Sequence, residues 1–445
     1  MYEMGAFFLK TNKLILVVAI FCWLASMTPI LTAKEPPVGE KISALYAPAT
    51  VCIFGGYEAT FSYPYAYYNM EQDPKTGNPI FTFEAHPEKG VFTENVKAGW
   101  SGSGLIITPD GYILTNAHVG TPELTKYQFI FQLAQKDAMK HVADGDFAQQ
   151  LAPYYVMGRV MFYQTHGKFQ PEQLSLTVLL GTVEWVKGIT PKGLIAECRA
   201  AGQCIGGTQK DVAVLKVNVN FPLPTVVLGD SDKVAVGQSA YVIGYPGMET
   251  YVKEVTTYLE ATVTSGIISS LKEMPGQWKA IQTDASIHHG NSGGPAFNEQ
   301  GEVIGLATFG AVGGSGEELS DIGFLVPINV AKEFVNEANI QPKRGELDKH
   351  WEEGMHLFWE QHYSAAIEKY RVVMELYPGH PYADRYMKQA RIAISEGRDV
   401  PLYPTIFGLD ARLLAGGLGG IAAASAAAIV VLRRRSRRRE GDSAM

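Results

Sequence analysis

The sequence predicts an all-β body over roughly residues 44–328, then a small α-helical region and a C-terminal transmembrane helix. Three observations carry this. Short apolar segments (LSLTVLLGTVEWV, KGLIAECRA, DVAVLKVNV, SAYVIGYPG, TTYLEATVTSGIISS, KAIQTDA, GEVIGLATFG, IGFLVPI) recur between Gly- and Pro-containing turns, as in a β-barrel or sandwich. After Pro327 the apolar period becomes helical. From Leu413 to Leu432 the chain carries no charge, and RRRSRRR follows at once.

The chain has 445 residues, room for two or three domains, and its 46% hydrophobic and 19% charged content is ordinary for a folded protein. The net charge is -7 although six arginines crowd between Arg433 and Arg439, so the main body is more acidic than the total. That balance argues against a nucleic-acid partner.

Taken in order, Lys10 and Lys13 precede LILVVAIFCWLASMTPIL, and Ala33 follows. Residues 1–33 therefore read as a secretory signal, or as a signal anchor if the peptidase does not cut. Ala44 to Phe54 reads as a strand. The aromatic stretch YEATFSYPYAYYNMEQDPKTGNP, continuing to about Lys97, has no helical period and reads as a long loop. GSGLIITPDGYILTNAHV holds two strands, Leu105–Thr108 and Tyr112–Thr115, joined at Pro109-Asp110-Gly111, a hairpin turn signal. Residues 120–180 are of mixed character, with a helix over Leu124–Lys140.

Beyond the β body, Asn329–Asn339, Lys349–Leu376 and Tyr382–Glu396 read as helices. Gly354, Ala366, Tyr370 and Pro378 have the spacing of one tetratricopeptide repeat, with small residues where helices approach closely, over a region 346–396. A plain helical hairpin or stalk fits the same residues. The 413–432 run would span about 30 Å as a helix, enough for a bilayer core. Its moderate Gly and Ala content leaves a buried helix or a loose tail open. The arginines beside it favour a membrane span with residues 433–445 as a cytoplasmic tail and the main body outside.

Cys22 lies in the N-terminal apolar segment. Cys198 and Cys204 enclose a short Gly-containing loop, to which a local disulfide is open in an oxidising compartment. Cys52 sits in an apolar stretch and reads as a small buried hydrophobe. No pair has metal-ligand spacing.

Three residues bear on chemistry, each ambiguous alone. His118 follows a strand in TNAHVG, Asp211 opens the apolar strand DVAVLKV, and Ser292 lies in the glycine-dense turn HHGNSGGPAF. A serine hydroxyl becomes a useful nucleophile when a histidine accepts its proton, and that imidazole needs a buried carboxylate to set its tautomer. Glycines at the turn let backbone N–H groups, here of Gly290 and Ser292, hold the developing oxyanion. The order His, Asp, Ser suits an all-β body.

On these motifs, together with VGQSAYVIGYPG, SGIISS, QTDASIHHGNSGGPAFNEQGEVIGLATFG and GFLVPI, the sequence resembles the Deg/HtrA-type trypsin-like serine proteases from about Ala44 to Asn329. The resemblance implies a chymotrypsin-like all-β double β-barrel with the triad His118, Asp211 and Ser292 in the cleft, over a domain of residues 44–330. It also implies oxyanion donors at Gly290 and Ser292, Ile287 at the floor of the primary specificity pocket, and Ala307, Thr308 and Phe309 as the strand that pairs with substrate. An apolar floor would favour small or medium aliphatic side chains before the scissile bond. No cofactor and no metal is implied. His288 and His289, adjacent to each other, have no third ligand evident in the sequence.

The sequence also departs from the family. His118 and Asp211 stand 93 positions apart, which implies an insertion over about 120–180. His288-His289 replace residues that are often Asn and Pro, and no PDZ domain is evident. The implied function is a serine endopeptidase of extracytoplasmic proteins engaged in quality control. Alternatives are a narrow-specificity processing or signalling protease and a catalytically silent protease-like binding module. The partners implied are unfolded or specific protein substrates, the membrane through the C-terminal helix, further copies of the chain, and a protein docking on the helices.

Overall fold

The computed structural model describes residues 35–181, 183–186, 193–204, 209–246, 256–312, 318–402, 405–406 and 409–410. The N-terminal segment to residue 33, the apolar run 413–432 and the tail 433–445 lie outside the described residues. Among the described residues no helix is long and apolar enough to cross a membrane.

In chain order the first nine strands are β1 (Thr50–Pro64), β2 (Ala66–Gln72), β3 (Pro79–Ala85), β4 (Val91–Ile106), β5 (Tyr112–Thr115), β6 (Lys168–Leu180), β7 (Val183–Val186), β8 (Leu194–Ala201) and β9 (Ala213–Val217). Of these, β1-β4-β5-β9-β8-β6 form a closed barrel. The next eight are β10 (Val227–Leu228), β11 (Ser239–Gly244), β12 (Thr256–Leu259), β13 (Thr262–Met274), β14 (Trp278–Thr283), β15 (Pro295–Phe297), β16 (Glu302–Val312) and β17 (Glu318–Pro327). They give a second sheet in the order β10-β16-β15-β11-β13-β14-β17, which the β16–β17 pairing closes into a ring. β7 and β12 pair separately. The expected double β-barrel is thus present.

Leu105, Ile107, Leu114, Val212 and Val214 of the first barrel share one buried cluster with Ile243, Phe297, Leu306 and Val326 of the second. Burying a large aliphatic side chain stabilises by about 1.5–3 kcal/mol, so this seam fixes one barrel against the other.

Several local expectations are corrected. Val38–Tyr46 is helical, and β1 begins only at Thr50, after a tight turn over Ala47–Ala49 that contains Pro48. The predicted long loop up to Lys97 is instead a ribbon. β1 and β4 run together from Thr50↔Leu105 out to Pro64↔Val91, and β2 pairs with β3 beyond them. The expected insertion ends before residue 168, because β6 is a barrel strand. It consists of two helices, Glu123–Asp144, close to the expected Leu124–Lys140, and Ala152–His166, where no helix was expected. These helices bury Ile130, Ala134, Tyr155, Val160 and Tyr163 against Tyr57, Phe61, Tyr63 and Phe81 of the ribbon. Tyr57, Phe61, Tyr63 and Phe81 of the ribbon are therefore part of the core of an aromatic lobe, while Tyr67 and Phe92 stay exposed.

Cys52 is fully buried, while Cys198 and Cys204 are free thiols. The Cys198 side chain, exposed on β8, donates to Ala200 O over 3.5 Å rather than bonding to Cys204.

Past β17 come helices Ile328–Glu337, Glu346–Trp359, Tyr363–Leu376 and Ala383–Ser395. The described residues divide into two compact units, one of Pro37–Met355 with Ala366–Ala390, the other including His356–Ala365 and the described residues from Arg391. Within the first unit the helices are bound to the barrels. Asp348 accepts 2.7 Å bonds from both the N–H and hydroxyl of Thr225, Trp351 Nε1 donates to Ala44 O over 3.1 Å, and Phe221 stacks on Tyr377. Within the second unit Ser364 N–H donates to Asp399, and Val400 N–H to Gln361 O.

Candidate active site

His118 stands in the short helical turn Ala117–Gly120 directly after β5. Ala117 and Val119 are fully buried and pin the turn to the barrel. A 2.9 Å bond from Trp100 Nε1 to Val119 O holds it from the side. Asp211 lies just before β9, where the Asn116 amide donates to its main-chain oxygen over 2.8 Å.

The structure brings these two side chains together. His118 Nδ1 is 2.6 Å from Asp211 Oδ2, and the His118 main-chain N–H donates to Oδ1 over 3.0 Å. The carboxylate accepts a third bond, 2.7 Å, from the Thr308 hydroxyl. With Nδ1 donating to Asp211, the tautomer leaves Nε2 as the acceptor. Burial disfavours both charges. The attraction between the two groups and their hydrogen bonds outweigh it, so His118 is held above the ordinary histidine value and Asp211 below the ordinary carboxylate value.

Ser292 belongs to the second barrel, in the turn between β14 and β15. Gly290 and Gly293 there take φ of +96° and +85°, the left-handed region that only glycine enters without strain. Gly102 of β4 comes so close that a Cβ on it would stand 2.6 Å from Val119 Cγ2 and 3.1 Å from Ser292 O. The His118 turn and the serine turn are therefore neighbours across that glycine. The Ser292 hydroxyl donates to Thr308 O over 2.8 Å. Among the described residues no hydrogen bond engages the N–H of Gly290 or of Ser292.

The remaining expected site residues divide. Ile287 is buried beside Ala285, Ala307 and Leu325, with Gly323 against its Cδ1. Ala307 has its own main chain engaged. Its N–H donates to Gly294 O (2.9 Å) and its C=O accepts from Gly293 N (2.7 Å), so those groups are not open to pair with a substrate. Thr308 has its carbonyl on Ser292 and its hydroxyl on Asp211, and Phe309 follows on β16. Sequence reasoning missed the Asn116 amide, the Thr308 hydroxyl and Trp100. Asn116 stands inside TNAHV and was within reach of inspection, whereas nothing local marks Trp100.

Two closed barrels, with a buried Asp–His pair on the first and a serine in a glycine turn on the second, define the chymotrypsin-like class of double-barrel folds. Residues 102–306 match the family described as the trypsin-like peptidase domain. Three relatives extend the comparison. A probable periplasmic serine endoprotease DegP-like of Halomonas elongata is 42% identical over 135 residues, 29% of this chain and 25% of that protein. The periplasmic pH-dependent serine endoprotease DegQ of Escherichia coli is 38% identical over 128 residues, 28% of this chain and 26% of its own. A probable periplasmic serine endoprotease DegP-like of Pseudomonas fulva is 35% identical over 342 residues, 75% of this chain and 53% of that protein. The chain thus spans from a quarter to about half of these relatives' length.

Proposed function

We propose that the protein is a serine endopeptidase that cleaves extracytoplasmic proteins through an acyl-enzyme. The observation that carries this is the buried Asp211 carboxylate on His118 Nδ1 at 2.6 Å, inside a segment that matches the trypsin-like peptidase domain. In the proposed cycle the Ser292 hydroxyl leaves Thr308 O by rotation about χ1 and gives its proton to His118 Nε2 as the oxygen attacks the scissile carbonyl. The N–H groups of Gly290 and Ser292 receive the oxyanion, worth about 3 kcal/mol of barrier per donor. His118 then protonates the leaving amine, and a water repeats the sequence on the acyl-enzyme. Asp211 stays ionised and holds the imidazole in place. Ile287 would form an apolar floor to the pocket before the scissile bond. The periplasmic relatives support an extracytoplasmic site of action, with anchoring by residues 413–432 as part of the same proposal.

Reaction of the purified full-length protein with a fluorophosphonate probe tests the reading. A Ser292 adduct absent from the His118→Ala variant supports it, and no adduct in the folded wild type sinks it. Broad quality control is the first reading of substrate range, and general turnover of casein would support it. The aromatic lobe that rises directly from the His118 turn favours a second, narrow processing role, which selective cleavage of few folded proteins would support.

A further inference from the structure

We propose that Ser103 is a positioning residue that pins the Gly290–Ser292 turn in the shape its N–H groups need to receive an oxyanion. The proposal rests on the peptidase reading above. Ser103 lies on β4 with no exposed surface. Each of its polar groups is engaged. Its N–H donates to Ser292 O (2.8 Å), and its hydroxyl donates to Gly290 O (2.7 Å) while accepting from Tyr245 N–H (2.9 Å). Its carbonyl accepts from the Thr115 hydroxyl (2.7 Å), one residue before the Asn116 that holds Asp211. One residue of the first barrel therefore grips the serine turn of the second at two carbonyls and is itself held by the strand leading to His118.

Three successive carbonyls of the turn accept hydrogen bonds, two of them from Ser103. Asn291 O accepts from Gly294 N–H (2.9 Å), and Ser292 O accepts from the Ser103 main chain. Those two bonds use only backbone, and any residue at 103 could supply its share. The bond to Gly290 O is the one that needs a side chain. It also falls where the turn is softest, because Gly290 has no Cβ and sits at a φ of +96°. If that carbonyl lost its partner, the Gly290–Asn291 peptide would be held only by the Asn291 N–H on His288 O (3.0 Å), and rotation at the Gly290 Cα could shift the turn that carries the Gly290 and Ser292 N–H groups. The surroundings fit a serine closely. A Cβ on Gly244 would come within 3.0 Å of Ser103 Oγ, and one on Gly294 within 3.3 Å of Ser103 Cβ. Alanine at 103 would leave Gly290 O and the Tyr245 N–H buried without a partner.

The test compares full-length wild type, Ser103→Ala and Ser103→Cys, with kcat expressed per active site titrated. The measurements are kcat and KM on a short chromogenic peptide, the Ki of a peptide boronate that forms a tetrahedral adduct on Ser292, and Tm. Loss of an oxyanion donor typically costs on the order of 100- to 1000-fold, and misaiming one should cost roughly ten- to a hundredfold. Ser103→Ala is therefore expected to lower kcat by that factor, to raise the boronate Ki in parallel, and to leave KM within about twofold. Ser103→Cys, with a weaker donor of similar shape, should fall between, and it carries the test alone if the alanine variant does not fold. Wild-type kcat and Ki with only a lowered Tm would overturn the proposal and leave Ser103 a packing residue. A folded wild type that neither cleaves the peptide nor takes the fluorophosphonate would instead overturn the peptidase reading itself.

Discussion

Thr308 meets Asp211 on the same carboxylate oxygen that His118 uses. The Thr308 hydroxyl donates to Oδ2 over 2.7 Å, and His118 Nδ1 lies 2.6 Å from that atom. Since the Thr308 carbonyl also accepts from Ser292, one residue of β16 ties a serine on the second barrel to a carboxylate on the first. Thr308→Val keeps the shape and removes the bond to Asp211. A hydrogen bond to a charged group is worth about 1.5–3 kcal/mol, so kcat/KM should drop about tenfold or more. Steady-state kinetics on a peptide substrate would measure it, and an unchanged kcat/KM would contradict the role given to the hydroxyl.

The pH dependence follows from the same pair. His118 must be neutral to accept a proton and is held above the ordinary value of about 6.5, so the acid limb of kcat/KM should have its midpoint above that pH. The stability linkage has two opposite parts. The His118 contribution is fully present below about 6.5 and is lost as pH rises through its raised folded value. The Asp211 contribution is present above about 3.9 and is lost as pH falls through its lowered folded value. Asp211→Asn should remove the acid loss and, with the tautomer no longer set, cut kcat by roughly 10⁴. Melting curves from pH 3 to 9 on both proteins would show whether the acid-side difference is real.

Gly55 faces Trp100 across the β1–β4 ribbon, and a Cβ on it would come within 2.0 Å of Trp100 Cε2. Gly55→Ala should therefore displace the indole and break its bond to Val119 O beside His118. The expected outcome is a fall in kcat of several-fold or more with the barrel still folded. Trp100→Phe, which removes only the N–H and part of the ring, should have a smaller effect in the same direction. Near-ultraviolet circular dichroism together with kinetics would separate movement of the ring from loss of fold.

Asp348 docks the helix Glu346–Trp359 by accepting from Thr225 N–H, the Thr225 hydroxyl and Gly345 N–H. Asp348→Ala leaves those donors buried and should destabilise by about 3 kcal/mol, read as a lowered Tm. Burial holds this carboxyl above its ordinary value despite the hydrogen bonds from Gly345 and Thr225, so its linkage runs opposite to that of Asp211. The native state favours the protonated form, and stability from this site grows as pH falls through the raised folded value. The Tm gap between wild type and Asp348→Ala should widen in acid, and a gap that narrows there would contradict the assignment.

The elements that could be read from sequence were those whose physics is local. The hairpin at Pro109-Asp110-Gly111, the alternating strands and the glycines of the Ser292 turn each announce themselves within a few residues. The ribbon did not. Tyr57, Phe61 and Tyr63 look like loop aromatics until the helix Ala152–His166, about a hundred residues later, supplies the surface they bury. The end of the insertion was misjudged for a related reason, since β6 is a strand because β1 and β8 flank it.

Sequence by itself determined which residues are proposed for acyl transfer, His118, Asp211 and Ser292, and the order in which the chain presents them. The expected membrane segments lie outside the described residues. Tertiary structure alone decided what surrounds the three: the third bond to the Asp211 carboxylate, from Thr308, the occupied main chain of Ala307, the hold of Trp100 on the His118 turn and the grip of Ser103 on the serine turn. The hydrogen bonds of 2.7–2.9 Å from Thr308 to Asp211 and between Ser103, Gly290 and Tyr245 exist only once two barrels have packed. No local pattern encodes which buried donor will face which acceptor. Such contacts are what convert a motif into an aimed set of groups.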